Sequence, residues 1–275
     1  MTGKLFLVAT PIGNLNDITL RAINILKEVD IIAAEDTRHT LKLLNKLEIK
    51  KQLISYYKEN EKTKKNILIE EILKGKNIAL VSDAGTPAIS DPGEEIVKEA
   101  IKNGIEIIPI PGACALVNAL ICSGLDTRTF IFQGFLPTKN KEKREILEDL
   151  KSENRTIIFY EAPHKLKNTL QDILNIFGNR KIVLARELTK IHEEFIRGDL
   201  SKIIEEMEEP RGEFVILLEG NEEQNNKLDF LNMLSLEEHY QYYERQGMQK
   251  KEIIKNIAKD RKNTKNEIYQ YFMKK

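Results

Sequence analysis

No stretch of this 275-residue chain is apolar enough, over sufficient length, to span a membrane, and Met1-Thr-Gly-Lys4 runs straight into a strand-like segment. Neither a membrane anchor nor a signal peptide is therefore expected. The chain also lacks an excess of either charge: 43 Lys and Arg balance 43 Asp and Glu. No global field draws it to nucleic acid or to a membrane, so any such attraction must be local. Cysteine is scarce. Cys114 and Cys122 stand eight apart in one helical pattern, about 12 Å along the axis and too far for a disulfide within that helix. Two buried thiols of a cytoplasmic protein are expected. The four histidines, His39, His164, His192 and His239, form no close-spaced pair with each other or with cysteine. No metal signature results, although carboxylate ligands remain open. Nucleotide signatures are missing too. There is no Gly-x-x-x-x-Gly-Lys-Ser/Thr, and Thr10-Pro-Ile-Gly13 carries a proline where a dinucleotide-binding turn wants glycine.

What is present is a chain 41% hydrophobic and 31% charged, long enough for two ordinary domains with separate cores. Apolar runs at residues 4–9, 30–34, 52–56, 77–81 and 105–110 read as strands. Segments with helical spacing separate them, at residues 18–27, near Leu41, Leu44 and Leu47, at 62–73 and at 94–102. Gly104 stands where a left-handed cap would end the last of these helices. Strand alternating with helix implies a parallel sheet covered on both faces. Later strand candidates (129–135, 155–161, 180–188, 194–197 and 212–218) include connections too short for helical crossovers, so the second sheet should be mixed. The expected class is α/β, with a parallel N-terminal sheet, a mixed C-terminal sheet and a small helical extension. The expected boundaries are 1–112, 113–221 and 228–275.

In a parallel sheet all strand carboxyl ends share one edge, which is where ligands bind in open α/β folds. Four unusual segments fall there: residues 10–15, 35–40, 82–93 and 109–115. Each alone reads equally well as an ordinary turn, since Gly, Pro and Asp are routine turn residues. Together they favour a crevice for a neutral or cationic ligand, held by backbone at Gly13, Ala84, Gly85 and Cys114, with Asp83 or Asp91 offering a carboxylate. The segments Ala9-Thr-Pro-Ile-Gly-Asn-Leu15, Ala33-Ala-Glu-Asp-Thr-Arg-His-Thr40, Ala79-Leu-Val-Ser-Asp-Ala-Gly-Thr-Pro87, Asp91-Pro-Gly93 and Pro111-Gly-Ala-Cys-Ala115 resemble the motifs of one family. It is the bacterial 16S ribosomal RNA cytidine 2′-O-methyltransferases, a branch of the tetrapyrrole methylase superfamily. Phe159-Tyr-Glu-Ala-Pro163, Arg186-Glu-Leu-Thr-Lys190 and Arg211-Gly-Glu213 extend the resemblance, which covers roughly residues 4–220. It implies S-adenosylmethionine as donor in a cleft between two α/β domains, and a homodimer.

The resemblance places donor contacts at Pro11, Gly13, Ala84, Gly85, Thr86 and Cys114, with Asp83 holding a polar end and Glu161 and Arg186 closing the cleft. Methylating a ribose hydroxyl needs a proton acceptor within hydrogen-bond reach. Candidates on this edge are Glu35, Asp36, His39, Glu161 and Glu187, with Asp36 or His39 favoured to orient or deprotonate the hydroxyl and Arg38 to hold a phosphate. The competing reading has Asp36 capping the next helix and Arg38 pairing with it. Residues 136–144 are basic and either touch phosphate or start a solvated helix. Residues 245–275 carry ten Lys or Arg against three Asp or Glu, a net of +7. Together with two capping boxes, at Ser235–Glu238 and Thr264–Glu267, they read as a nucleic-acid docking unit. Lys190, Lys250, Lys251, Arg261 and Lys262 are the candidate phosphate contacts, and 16S ribosomal RNA or the small ribosomal subunit is the partner. Two rival readings are methylation of a tetrapyrrole on the same scaffold, which leaves the basic tail idle, and a non-catalytic RNA-binding assembly factor, which leaves the four loops idle.

Overall fold

The computed structural model describes residues 2–221, 230–261 and 263–273. Strands β1 (Leu5–Val8), β2 (Ile31–Ala34), β3 (Gln52–Ser55), β4 (Ile78–Val81) and β5 (Ile107–Ile110) form one sheet in the order β3-β2-β4-β1-β5. Every pairing is parallel. β2 and β4 are buried at every position, as strands covered on both faces must be. The pleat sorts their side chains. Phe6, Val8, Ile32, Ala34, Ala79 and Val81 face helices α1 (Leu20–Glu28) and α2 (Thr37–Lys46). Leu5, Ile31, Ala33, Ile78 and Leu80 face α3 (Glu61–Leu73) and α4 (Glu94–Lys102). Two helices on each side leave the carboxyl edge open. Gly104 follows α4 at φ +65°, the left-handed stop its position predicts.

The second sheet contains β6 (Phe130–Phe135), β7 (Thr156–Glu161), β8 (Lys181–Arg186), β9 (Glu194–Asp199) and β10 (Phe214–Leu218), in the order β6-β7-β10-β8-β9. β6 and β7 are parallel because α6 (Asn140–Leu150) provides the crossover. β8 and β9, only seven residues apart, can pair only antiparallel, and β10 is antiparallel to both neighbours. One face packs α6, α7 (Pro163–Phe177) and α8 (Leu200–Glu206) against Ile157, Phe159, Leu184 and Ile216. The other carries α5 (Ala115–Ser123), whose Leu116, Ala119 and Leu120 meet Ile158, Val183, Val215 and Leu217. One nine-residue helix cannot cover that face, and the uncovered part opens towards the first sheet.

One expectation needs correction. Cys122 is exposed and Cys114 half-buried, because α5 buries the side holding Leu116, Ala119 and Leu120, and Cys122 falls outside it. The basic run at 136–144 leads into α6, in line with the helix-start reading, and its charges pair locally. Lys139 meets Glu142 at 2.9 Å, Arg144 meets Glu148 at 3.8 Å, and Lys143 pairs with Asp172.

Towards the C-terminus, α9 (Leu236–Glu244), α10 (Lys250–Asp260) and α11 (Lys265–Met273) share a core of Leu231, Tyr243, Ile253, Ile254, Ile257 and Ile268. Both capping boxes form. Ser235 N donates to Glu238 at 2.7 Å and Glu238 N returns the bond at 3.2 Å. Thr264 and Glu267 do the same at 2.8 and 3.3 Å. Among the described residues no helix is long and apolar enough to cross a membrane.

Candidate active site

Hydrogen bonds lock the loops on the carboxyl edge of the first sheet to one another. Thr10 and Gly85 exchange backbone bonds of 2.8 and 3.0 Å, an antiparallel bridge that parallel β1 and β4 could not make within the sheet. The Thr10 hydroxyl donates to Ser82 O at 3.3 Å, and the Thr86 hydroxyl to Ala113 O at 3.1 Å. Asp36 N donates to the Asp83 carboxylate at 2.9 Å. The loop after β4 is contorted: Gly85, Ala88, Ser90 and Gly93 all have φ between +65° and +147°. For Ala88 and Ser90 this costs about 1–2 kcal/mol each, a strain that clusters at binding loops. Gly85 has a second constraint, because a Cβ there would lie 3.1 Å from Ile12 Cγ2.

Between this edge and the uncovered face of the second sheet lies a cavity of about 490 Å³, in the range of small-molecule sites. The first sheet contributes Glu35, residues 83–86, Ile89, Ser90 and Asp91. The second contributes Phe135, residues 160–163, Ala185, Leu188 and residues 213–215, and Ile12, Cys114 and Ala115 complete the wall. Five lining residues are carboxylates, Glu35, Asp83, Asp91, Glu161 and Glu213, and among the described residues no Lys, Arg or His lines the cavity. Such a site favours a cation and repels phosphate. Burial, and then the Asp83 charge, push the Glu35 carboxyl above its ordinary range. Burial, and then the Glu35 charge, push Asp91 up to about 7, against a bond from Ser82 that lowers it. Glu161 is 5% exposed; it accepts from the Thr169 hydroxyl at 2.6 Å and from Ala162 N at 2.9 Å, and so anchors the start of α7. Tyr160 accepts from Leu116 N at 3.1 Å, satisfying an otherwise unpaired N–H in the first turn of α5, and burial pushes its phenol up to about 12.

Of the residues named from sequence, Asp83, Ala84, Gly85, Thr86, Cys114, Glu161 and Glu35 come together on this wall, and Pro11, Gly13 and Arg186 do not. Gly13 instead packs under the turn after β8, where a Cβ would lie 2.5 Å from Lys190 Cγ and 2.9 Å from Thr189 Oγ1. Asn14 N donates to that threonine at 3.0 Å, so the glycine serves a seam between the two sheets. The Arg186 guanidinium pairs with Glu194 at 3.1 Å. Asp36 caps α2 through Arg38 N at 2.8 Å and takes two further bonds from the Arg38 guanidinium at 3.1 and 2.7 Å. These contacts hold its carboxyl at about 2. The capping alternative is therefore realised; Arg38 and His39 are exposed, and neither they nor Asp36 line the cavity.

The basic candidates divide. Lys190 bridges Glu187 and Glu213, each at 3.0 Å. Arg261 turns inward to the carbonyls of Leu231, Leu234 and Ser235 and to His239 Nδ1. Its Nε and Nη2 donors hold the helical unit together. Lys250 and Lys251 are exposed, and Lys262 lies outside the described residues. Lys251, Lys255 and Lys259, four apart on α10, form an exposed row with no ion pair among the described residues. Sequence reading missed Ile12, Ile89, Ser90, Phe135, Tyr160 and residues 213–215, most of them apolar side chains that carry no chemical signature. Among the described residues no group of three His, Cys, Asp or Glu is arranged to hold a metal ion.

Two α/β units with a cavity at the carboxyl edge of the first define a class, and the comparisons agree with it. Residues 4–204 match the family of tetrapyrrole (corrin/porphyrin) methylases, and the chain belongs to that family and is a methyltransferase, so its reaction takes a methyl donor. It is 51% identical over 273 residues to the ribosomal RNA small subunit methyltransferase I of Halalkalibacterium halodurans, covering 98% of this chain and 94% of that one. It is 50% identical to the protein of the same name from Thermotoga maritima, all of which is matched by 80% of this chain. Among solved structures, uroporphyrin III C-methyltransferase from Thermus thermophilus shares the fold with a TM-score of 0.57 at 16% identity, over 79% of this chain and 97% of that one.

Proposed function

We propose that this chain methylates the ribose 2′-hydroxyl of a cytidine in 16S ribosomal RNA of the small subunit, with S-adenosylmethionine as donor. The observation that carries the donor is the cavity: five carboxylates, no basic lining residue among those described, and a volume that suits a cationic nucleoside. When bound, the donor supplies an electrophilic methyl group on a positively charged sulfur. Backbone at Ala84, Gly85 and Thr86 would frame it, Asp83 would take a polar end, and Ile12, Leu188 and Phe214 would exclude water from its apolar parts. Relatives at about half identity along nearly the whole chain carry the name of a ribosomal RNA methyltransferase, which supports RNA as acceptor.

The acceptor hydroxyl would have to be held in line with the donor's methyl group, and its proton would pass to a carboxylate of this chain. Glu35 suits that role, because it lines the cavity and burial raises its proton affinity. Asp36 serves by fixing Arg38 at the rim, where Arg38 and His39 face incoming phosphate. Lys250, Lys251, Lys255 and Lys259 on the helical extension would add phosphate contacts. A homodimer in the cytoplasm, with units at 1–112, 113–221 and 228–275, completes the reading.

The test is incubation of the protein with radiolabelled S-adenosylmethionine and small subunits, or their RNA, lacking the modification. Label on a cytidine ribose is expected. Label on a base, or none on RNA and some on a tetrapyrrole, would overturn the acceptor. RNA affinity should fall steeply with salt, and a flat response would remove the lysines from the interface.

A further inference from the structure

The cavity is charged in a way that its product cannot match. Asp91 lies on its wall, held by a loop in which Ala88 and Ser90 adopt left-handed backbone. Three elements surround its carboxyl with acid or neutral polar groups: Glu35 at the end of β2, Asp83 and the Ser82 hydroxyl after β4, and the Tyr160 phenol of β7. Glu161 and Glu213 line the same space, and among the described residues no cationic side chain does. An ionised Asp91 therefore has the Ser82 hydroxyl but no cationic partner among them, and a cationic ligand is what would supply one.

Resting on the donor reading above, we propose that Asp91 is the specificity-determining residue that distinguishes the cationic donor from the neutral product, by ionising against the first and being protonated against the second. Donor binding releases the Asp91 proton to solvent and leaves carboxylate and sulfonium as a pair. Once the carbon–sulfur bond has broken and its electron pair stays on sulfur, the positive charge is gone. Asp91 then takes up a proton, and the product loses its counter-charge. Methyl transfer thus weakens the grip on its own by-product. The carboxyl stands at about 7 without ligand, so near neutral pH both states are within reach.

Calorimetry on the full chain with S-adenosylmethionine and with S-adenosylhomocysteine tests this without turnover. Both ligands carry the same amino and carboxyl groups, so their comparison isolates the sulfur charge. Donor affinity relative to product should rise by up to about a hundredfold between pH 6 and pH 8, as the ionised fraction rises from about a tenth to about nine-tenths and the protonated fraction falls by as much. At pH 7, titrations in two buffers of different ionisation enthalpy should show about half a proton released on binding donor and about half a proton taken up on binding product, a difference of about one. Asp91→Asn should abolish both differences. Glu35→Gln, which removes a repelling charge, should move the midpoint of the pH profile down, and it provides the test if Asp91→Asn folds poorly. A donor-to-product ratio that is the same at pH 6 and pH 8, an unchanged profile in Asp91→Asn or an unmoved midpoint in Glu35→Gln would overturn the proposal. Failure of the wild-type chain to bind either ligand at any pH would instead overturn the donor reading itself.

Discussion

The Asp91 carboxyl should limit the stability of the free protein at neutral and alkaline pH, and Asp91→Asn should relieve that limit. Folding raises its pKa from 3.8 to about 7, so the sign is fixed. Below 3.8 the group is protonated in both folded and unfolded chains and costs nothing. As pH rises from 3.8 through about 7, the unfolded chain ionises first and stability is lost. The full difference corresponds to about 4 kcal/mol, which solvent screening in an open cavity reduces to about 1–2 kcal/mol. Asparagine keeps the shape and the polar contact with Ser82 without the charge. For a body of this size the gain should raise the melting temperature by about 3–6 °C at pH 8.5, and by almost nothing at pH 4. Differential scanning calorimetry of both proteins across that range reads the effect directly. An equal shift at both ends, or a lower melting temperature for Asp91→Asn at pH 8.5, would show that no uncompensated charge is held there. A stabilising change that damages ligand selectivity is the pattern expected of a site residue.

Gly13→Val should cost about 1–3 kcal/mol, seen as a lower denaturation midpoint, because its Cβ would sit 2.5 Å from Lys190 Cγ; unchanged stability would mean the seam can shift freely. Arg261→Ala should loosen the C-terminal helices by about 2 kcal/mol or more, visible as faster amide exchange in α9 and α10, since the guanidinium holds three carbonyls there. Lys251→Ala, at an exposed and unpaired position, should leave the same amides protected. His239 is fully buried between Asp260 Oδ2 at 3.2 Å and Arg261 Nε at 3.1 Å, and burial lowers its pKa below the usual 6.5. Its contribution is present above pH 6.5 and lost as pH falls through the lower folded value, so amide exchange in α9 should accelerate on acidification before the two sheets melt. Simultaneous loss of both would contradict this.

Periodicity alone determined most of the architecture. Strand and helix alternate in the first half with spacings that only a parallel sheet accommodates, and the seven residues between β8 and β9 dictate an antiparallel pair. The motif loops were legible for the same reason, since Gly85, Asp83 and Thr86 occupy a strand's carboxyl end by chain order. Local chemistry was readable too, as in both capping boxes and the cap Asp36 forms on α2. Tertiary structure alone decided what faces what. Gly13 resembles a ligand contact in sequence but packs beneath Lys190, 177 positions later, because the second sheet docks there. Arg261 counts towards a basic tail but spends its charge inside it, since helix packing places its fork over open carbonyls. Phe214 and Val215 carry no motif, and nothing in the segment around Tyr160 marks its ring as a wall, yet all three line the cavity through the register of β7 and β10. Spacing along a chain fixes which backbone groups meet. Which side chains share a cavity, and so which carboxyl is pushed up to about 7, depends on how two sheets pack, and no local pattern encodes that.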